Sequence, residues 1–246
     1  AIVGLRGLGV EVAKNLILAG PASVTLSDDT LVQIGDLGAN FYCEEQHVGK
    51  VTRAAACVQK LSELNPYVKV KTVSASDLVK LVKGGELQVV CQTELLIDGE
   101  FGDPEPMDAL CTENNCGYIM AACLGPWGFT FLDYGAKHVI NDANGEATRQ
   151  FVVSFIKKGE TTEVTVHEDK RHTYEEGDFV ALREVEGMTE INGLKPAKVL
   201  KTTPFTFVLE LDSSGFADYT RQGVCEDVKV PKESAFHSWA DSFKNP

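Results

Sequence analysis

The sequence predicts a mostly parallel α/β sheet over residues 1 to about 145, followed by a small β-barrel or sandwich. Three observations carry this. Short β-rich runs alternate with helical patterns through the first part, as a parallel sheet requires. A glycine-rich turn, Gly4-Leu5-Arg6-Gly7-Leu8-Gly9, follows the apolar run Ala1-Ile2-Val3, where a strand would hand over to a helix. From Asn141-Asp142-Ala143-Asn144-Gly145 to about Val230 helical periodicity fades, and short strand-like runs are separated by turn residues.

In a nucleotide-binding turn of the form G-x-G-x-x-G, the middle glycine lets the backbone approach phosphates and the last packs helix against strand. Gly4 and Gly9 hold the first and third glycine positions here, with Gly7 between them, but Arg6 stands at the second. A side chain there obstructs the path of a phosphate to the helix N-terminus, although its charge attracts the anion. The turn keeps its scaffold and loses its ligand.

Beyond the turn, Val10, Ala13, Leu16 and Ile17 share one helical face, with Glu11 and Lys14 outside and Gly20-Pro21 as the stop. Ser23 to Leu26 reads as the next strand. Asp28 follows it about 20 residues after the turn, where a ribose-binding acid belongs. Val51, Ala54, Ala55, Val58 and Leu61 form a second amphipathic helix within 49–64, ended by Asn65-Pro66. Val68 to Val73 alternates as a strand. Leu87 to Cys91 and Gly117 to Cys123 read as buried strands, with a helix from Pro106 to Asn115 between them. Phe129 to Leu132 and His138 to Ile140 alternate like antiparallel strands. In the β-rich part the candidates are Phe151 to Ile156, Thr162 to Val166, Phe179 to Arg183, Ala197 to Leu200, Phe205 to Leu211 and Val224 to Val230.

The chain has 246 residues and a net charge of −13, which argues against nucleic acid or an anionic membrane as the main partner. A neutral or basic protein surface is easier to accommodate. No apolar run reaches the roughly 18–20 residues of a membrane span, and no signal-peptide pattern opens the chain. The missing initiator Met, the cut-short first strand and the unfinished start at Ser238 to Phe243 read as an excised piece of a longer protein. The seven cysteines, without CxxC or zinc-finger spacing, read as reduced and mostly buried thiols of a cytoplasmic or nuclear protein, with no metal site. His47, His138, His167, His172 and His237 are scattered and read as structural or solvated. The charged runs His167 to His172 and Glu175-Glu176 to Asp178 read as solvated loops.

Four stretches carry a resemblance to the N-terminal part of ubiquitin-activating enzymes. They are Gly4 to Glu11, Asp36-Leu37 with Asn40-Phe41-Tyr42, Asp142 to Glu146, and Glu184-Val185-Glu186-Gly187-Met188-Thr189-Glu190-Ile191-Asn192-Gly193. Phe216 to Tyr219 and Val228 to Lys232 extend the last match. The resemblance covers essentially the whole chain and implies a Rossmann-like, ThiF/MoeB-type partial adenylation fold with an inserted small β-barrel. It implies an inactive adenylation domain, N-terminally truncated, over 1–148, the first catalytic-cysteine half-domain over 149–231, and a return into the adenylation domain over 232–246.

That family pairs an ATP-binding adenylation fold with a degenerate one, and this chain is similar to the degenerate half. The active half has N-L-N-R-Q-F where this chain has Asp36-Leu37-Gly38-Ala39-Asn40-Phe41, so Ala39 replaces the triphosphate-binding Arg and Asn40 the Gln. An Asp for Mg·ATP has no counterpart in Val89 to Thr93, and Lys50 matches one family lysine. Adenylation needs cations and metal around the transferring phosphate. The resemblance therefore implies no catalytic or cofactor-binding residue in this piece, with ATP and Mg²⁺ used by the intact enzyme. The implied partners are ubiquitin, the active adenylation half of the same chain and ubiquitin-conjugating enzymes. Arg183, Glu184 and Glu186 are the expected ubiquitin contact. Two other readings remain at this point: a nicotinamide-dependent oxidoreductase, or a regulatory subunit for another ubiquitin-like modifier.

Overall fold

The computed structural model describes residues 1–94, 96–97, 100–101 and 103–244. It divides the chain into two compact units, Ala1–His138 with Ser234–Pro246, and Val139–Glu233.

The first unit is built from β1 (Ile2–Val3), α1 (Gly7–Ala19), β2 (Ser23–Ser27), α2 (Arg53–Ser62), β3 (Lys69–Thr72), α3 (Ala75–Lys83) and β4 (Val89–Gln92). A short hairpin follows, β5 (Leu96–Ile97) and β6 (Glu100–Phe101), then α4 (Glu105–Glu113), β7 (Gly117–Leu124) and β8 (Trp127–Asp133). The sheet order is β3-β2-β1-β4-β7-β8. Its first five strands are parallel, and β8 closes the edge antiparallel to β7. Strand order therefore reverses between β1 and β4. In open parallel sheets, ligands bind at such a switch point, beyond the carboxyl ends of the strands.

Local chemistry accounts for each helix. Gly20 adopts φ +82° at the end of α1, and its N–H returns to the Ile17 carbonyl, a cap that favours glycine. Val10, Ala13 and Ile17 are buried, whereas Leu16, expected on the same face, is 43% exposed. It stands one residue from Ile17, about 100° around the helix, and so misses the sheet. Thr52 caps α2 by accepting the Ala55 N–H, and Ser74 caps α3 by accepting that of Asp77. The α3 helix is not anticipated from the apolar pattern, because only Leu78 and Val82 are buried along it.

Near the end of the chain, α5 (Trp239–Lys244) is tied into the same unit. The Trp239 N–H donates to Asp108 Oδ2 at 2.7 Å, and its ring meets Phe129 and Phe131 edge-on. Asp108 is buried on α4. Burial and the neighbouring Asp133 carboxylate push its carboxyl from an ordinary 3.8 up to about 6.

The second unit contains β10 (Gln150–Lys157), β11 (Thr162–Val166), β12 (Phe179–Arg183), β13 (Ala197–Thr202), β14 (Thr206–Leu209) and β15 (Val224–Asp227), which follow β9 (His138–Ile140) and precede β16 (Lys232–Ser234). The barrel-or-sandwich alternative resolves as a closed barrel, in the order β10-β11-β14-β13-β12-β15. Alternate residues fill it, including Val164 and Val166, Val180 and Leu182, and Phe207 and Leu209. A register shift between Val153 and Phe155 breaks the alternation in β10, so Phe151, Val153 and Ile156 point inward while Phe155 is exposed. Tyr174 is buried against Phe151 and Phe207, and its hydroxyl donates to the Cys225 and Arg149 carbonyls. Among the described residues, no helix is long and apolar enough to cross a membrane.

The raised Asp108 value sets a pH dependence. The folded state holds this proton more tightly than the unfolded chain, so its contribution is complete below about pH 4 and is lost as pH rises through about 6. In urea unfolding at pH 4 and pH 7, the wild type should lose on the order of 2 kcal/mol relative to Asp108→Asn, which keeps an acceptor for the Trp239 N–H. Identical pH dependence of the two proteins would contradict this assignment.

Candidate functional site

The glycine turn sits at the switch point of the first unit. Gly4 adopts φ +85°, and its N–H donates to the Ser27 carbonyl at 3.0 Å. The Leu5 N–H donates to Asp28 Oδ2 at 2.8 Å, and the Thr93 hydroxyl donates to the Gly4 carbonyl at 2.8 Å. The carboxyl ends of β2 and β4 thus hold the turn, which continues β1, through hydrogen bonds. Gly9 follows from this packing: a β-carbon there would overlap the Gly4 carbonyl and lie 2.5 Å from Thr93 Oγ1. A β-carbon at Gly7 would meet that of Ala39 at 3.1 Å, so the small residue at 39 leaves room for the first turn of α1.

Arg6 is the N-cap of α1 in an extended conformation, φ −74° and ψ −166°, without backbone strain. Its side chain is 45% exposed and forms an ion pair with Glu94 at 2.7 Å. The group pressed against the turn itself is Glu94, whose β-carbon lies 2.8 Å from where a Gly4 side chain would begin. Glu94 comes two residues after β4, just beyond Val89 to Thr93, which holds no counterpart of the family's Mg·ATP-binding Asp.

Beneath the turn lies Arg53, the first residue of α2 and fully buried. Its Nε donates to Asp36 at 2.8 Å, while Nη1 stands 3.5 Å from Asp28 and 3.7 Å from Glu94. Among the described residues, Nη1 and Nη2 have no hydrogen-bond partner of their own. Burial opposes the Arg53 charge, but the Asp36 hydrogen bond and the three carboxylates outweigh it and raise its pKa. Burial likewise pushes the Glu94 carboxyl up, against the pull of Arg6 and Arg53.

The acids of this cage are also engaged by backbone. Asp28 accepts the N–H groups of Leu5 and Thr30, and Asp36 accepts that of Gln33. Asn40 donates to the Leu5 carbonyl and accepts the Tyr42 N–H. Lys50 is exposed just before α2. A cavity of about 330 Å³ opens beside Gly4, Arg6, Asp28, Thr30 and Glu94, and another of about 200 Å³ beside Arg6, Gly7, Thr93, Glu94 and Cys123. Among the described residues, no group of three or more His, Cys, Asp or Glu is arranged to hold a metal ion.

The sequence placed Gly4, Arg6, Gly7, Gly9, Asp28 and Ala39 at one turn, and the structure brings all six around it. Arg53 and Glu94 were missed. The available signal for Arg53 was a charged residue beside the buried face of an amphipathic helix; for Glu94 it was an acid at the carboxyl end of a strand neighbouring β1.

In the barrel unit, Arg183 pairs with Glu184 at 2.9 Å and reaches Glu226 at 3.5 Å, while Glu186 pairs with Arg221 at 2.6 Å. Glu184 adopts φ +61°. The loop that follows is tightly built: Asn192 exchanges two hydrogen bonds with Val185, Met188 is buried, and a side chain at Gly187 would overlap the Asp218 carbonyl. Two loops read as solvated carry structure. His172 is buried and stacks on Tyr174, and Asp178 forms an ion pair with Arg149 at 2.8 Å. Six of the seven thiols are buried and Cys123 is exposed; all seven are free. Burial pushes Cys43 up to about 12 and Cys225 up to about 11, which disfavours thiolate chemistry at both.

Removing the central cation should be costly. Arg53→Ala leaves Asp28, Asp36 and Glu94 together with no internal counter-charge but Arg6. Urea unfolding should show a loss of about 3–5 kcal/mol, partly recovered in Arg53→Lys. A loss below about 1 kcal/mol would show that the cage does not hold the turn.

Known proteins show a consistent likeness. Residues 1–142 match the model of the ThiF family, and residues 159–229 match that of the ubiquitin-activating enzyme E1 FCCH domain. Ubiquitin-like modifier-activating enzyme 1 from Oryctolagus cuniculus is 38% identical over 248 residues, as is that from Homo sapiens; each alignment covers 100% of this chain and 22% of the relative. Ubiquitin-activating enzyme E1 2 from Triticum aestivum is 38% identical over 247 residues, covering 100% of this chain and 23% of the relative. The chain thus spans less than a quarter of the length of these relatives. A crystal structure of E. coli MccB with MccA aligns over 56% of this chain and 37% of that one, at 20% identity and a TM-score of 0.43, too loosely to bear on function. With its parallel sheet, its glycine turn and the barrel that follows, the chain belongs to the ThiF family and carries an E1 FCCH domain.

Proposed function

We propose that this chain is part of a ubiquitin-activating enzyme, which adenylates the C-terminus of ubiquitin with ATP and Mg²⁺ and then captures it as a cysteine thioester. Within that enzyme, residues 1–148 serve as the inactive adenylation domain, 149–231 as the first catalytic-cysteine half-domain, and 232–246 as the start of the return. The chain contributes scaffold and ubiquitin recognition, while the ATP site and the catalytic cysteine lie in other parts of the protein. Its partners are ubiquitin, the active adenylation half and ubiquitin-conjugating enzymes, in cytoplasm and nucleus. The relatives favour neither an oxidoreductase nor a regulatory subunit for another modifier.

One observation carries the inactive assignment: the acids and cations of the turn are paired with one another. Asp28, at the position for a ribose hydroxyl, already accepts two backbone N–H groups and faces Arg53. Arg6 is held by Glu94, and Ala39 supplies no charge. Among the described residues, no unpaired cation at the turn is left to stabilise a transferring phosphate. The residues present therefore do not fit Mg·ATP.

For ubiquitin, the proposed contact is Arg183, Glu184 and Glu186, on the turn where β12 leaves the barrel. The net charge of −13 favours a basic partner surface, and exposed carboxylates of this kind act chiefly on association rate and orientation. Their present ion pairs with Arg183 and Arg221 are exposed and exchange cheaply for intermolecular ones.

A single set of titrations tests both parts. The chain should show no saturable calorimetric signal with Mg·ATP below roughly millimolar, an affinity of about 4 kcal/mol. With ubiquitin it should show binding that weakens several-fold in Glu184→Lys with Glu186→Lys, more at low salt than at high. Micromolar ATP binding would overturn the inactive assignment. Unchanged ubiquitin binding by the folded double variant at low ionic strength would remove this surface from the contact.

A further inference from the structure

We infer that Glu94, rather than Arg6, is the residue that closes the glycine turn to phosphate: an internal carboxylate takes the place an anionic ligand would otherwise hold. The inference deepens the inactive-half assignment and rests on it.

The geometry separates the two residues. Arg6 has an unstrained extended backbone, and its guanidinium is half-exposed and turned onto Glu94. A flexible cation of that kind attracts phosphate as readily as it obstructs it. Glu94 is different. Its β-carbon and one carboxylate oxygen lie 2.8 and 3.3 Å from the position a Gly4 side chain would take, and it lines both cavities that flank the turn. Its two oxygens face two guanidiniums, Arg6 at 2.7 Å and Arg53 at 3.7 Å. The Arg53 end that faces it is fully buried, and neither Nη1 nor Nη2 makes a hydrogen bond among the described residues. A buried guanidinium with unused donors, directed at an acid beside a glycine turn, is the environment of an anion ligand.

Charge decides the outcome. With Glu94 present, Arg6 and Arg53 stand against Asp28, Asp36 and Glu94, a net charge of −1, with Asp29 on the cavity rim adding another negative charge. An entering phosphate meets like charge and a filled contact. Without Glu94 the inner set is neutral, Arg6 is released, and the N–H groups of Gly7, Leu8 and Gly9 at the start of a 13-residue helix gain an open approach. Arg53 keeps Asp28 and Asp36, so the cage beneath the turn survives the change.

The probe is inorganic pyrophosphate, titrated into the ¹⁵N-labelled chain as wild type, Glu94→Ala, Glu94→Gln and Arg6→Gly. Glu94→Gln keeps the side-chain volume and tests the charge should the smaller variant not fold. The Glu94 variants should bind saturably, at least tenfold more tightly than wild type, with the shifts centred on the Gly7, Leu8 and Gly9 amides. Arg6→Gly should remain as closed as wild type. If folded Glu94 variants bind no better than wild type, or if Arg6→Gly alone opens the turn, the inference is wrong while the inactive-half assignment stands. Saturable binding by the wild type would overturn both.

Discussion

The first unit depends on one buried cation. Arg53 stands at the start of α2 with no exposed surface, and its three acidic neighbours come from different places in the chain: Asp28 after β2, Asp36 in a tight helical turn, and Glu94 after β4. Through Asp28 the charge also fixes the Leu5 N–H, and thereby the turn that joins β1 to α1. Burying a guanidinium costs several kcal/mol unless it is surrounded in this way, so the four residues form a unit that is stable together and unstable in parts. The same constraint bears on function. The acids and cations gathered at the turn are committed here to one another.

The barrel follows a different logic. Its interior is largely apolar and filled by alternating side chains, and the hydroxyl of its buried Tyr174 is satisfied by two backbone carbonyls. Arg149 covers that ring from outside and joins Asp178 and Asp227. A closed barrel has no free sheet edge, so its loops are free to carry recognition without risking edge-to-edge association. The loop that bears Glu184 and Glu186 is held by internal contacts. Asn192 clamps Val185, Met188 is buried, and Gly187 is crowded by the chain at Asp218. A sequence motif in that stretch therefore reports loop architecture as much as it reports a contact.

How much of this could be read from the sequence follows from the range of each interaction. The glycine turn, the helix ended by Gly20 and the alternation and turn residues that mark the six barrel strands are patterns within a few residues, and all were legible, Thr162–Val166 and Phe179–Arg183 to their ends. Leu16 and α3 were harder, because which side of a helix meets a sheet is decided by tertiary packing. The bulge in β10 was hidden for the same reason, since the alternation of Phe151 and Val153 gives no sign that Ile156 takes over. Arg53 and Glu94 were the deepest omission. Each looks like an ordinary surface charge until the strand order brings β1, β2 and β4 together, and a polar cage assembled from distant segments leaves no periodic trace.

The coupling between Arg53 and Asp36 tests the dependence on this cage most directly. A double-mutant cycle with Arg53→Met and Asp36→Asn, followed by urea unfolding, separates their interaction from the separate cost of each change. If the cage organises the turn, the coupling energy should be about 2 kcal/mol or more, with the double variant less destabilised than the two single losses combined. A coupling below about 0.5 kcal/mol would mean that the two charges are buried side by side without holding each other, and the account of the turn would fail.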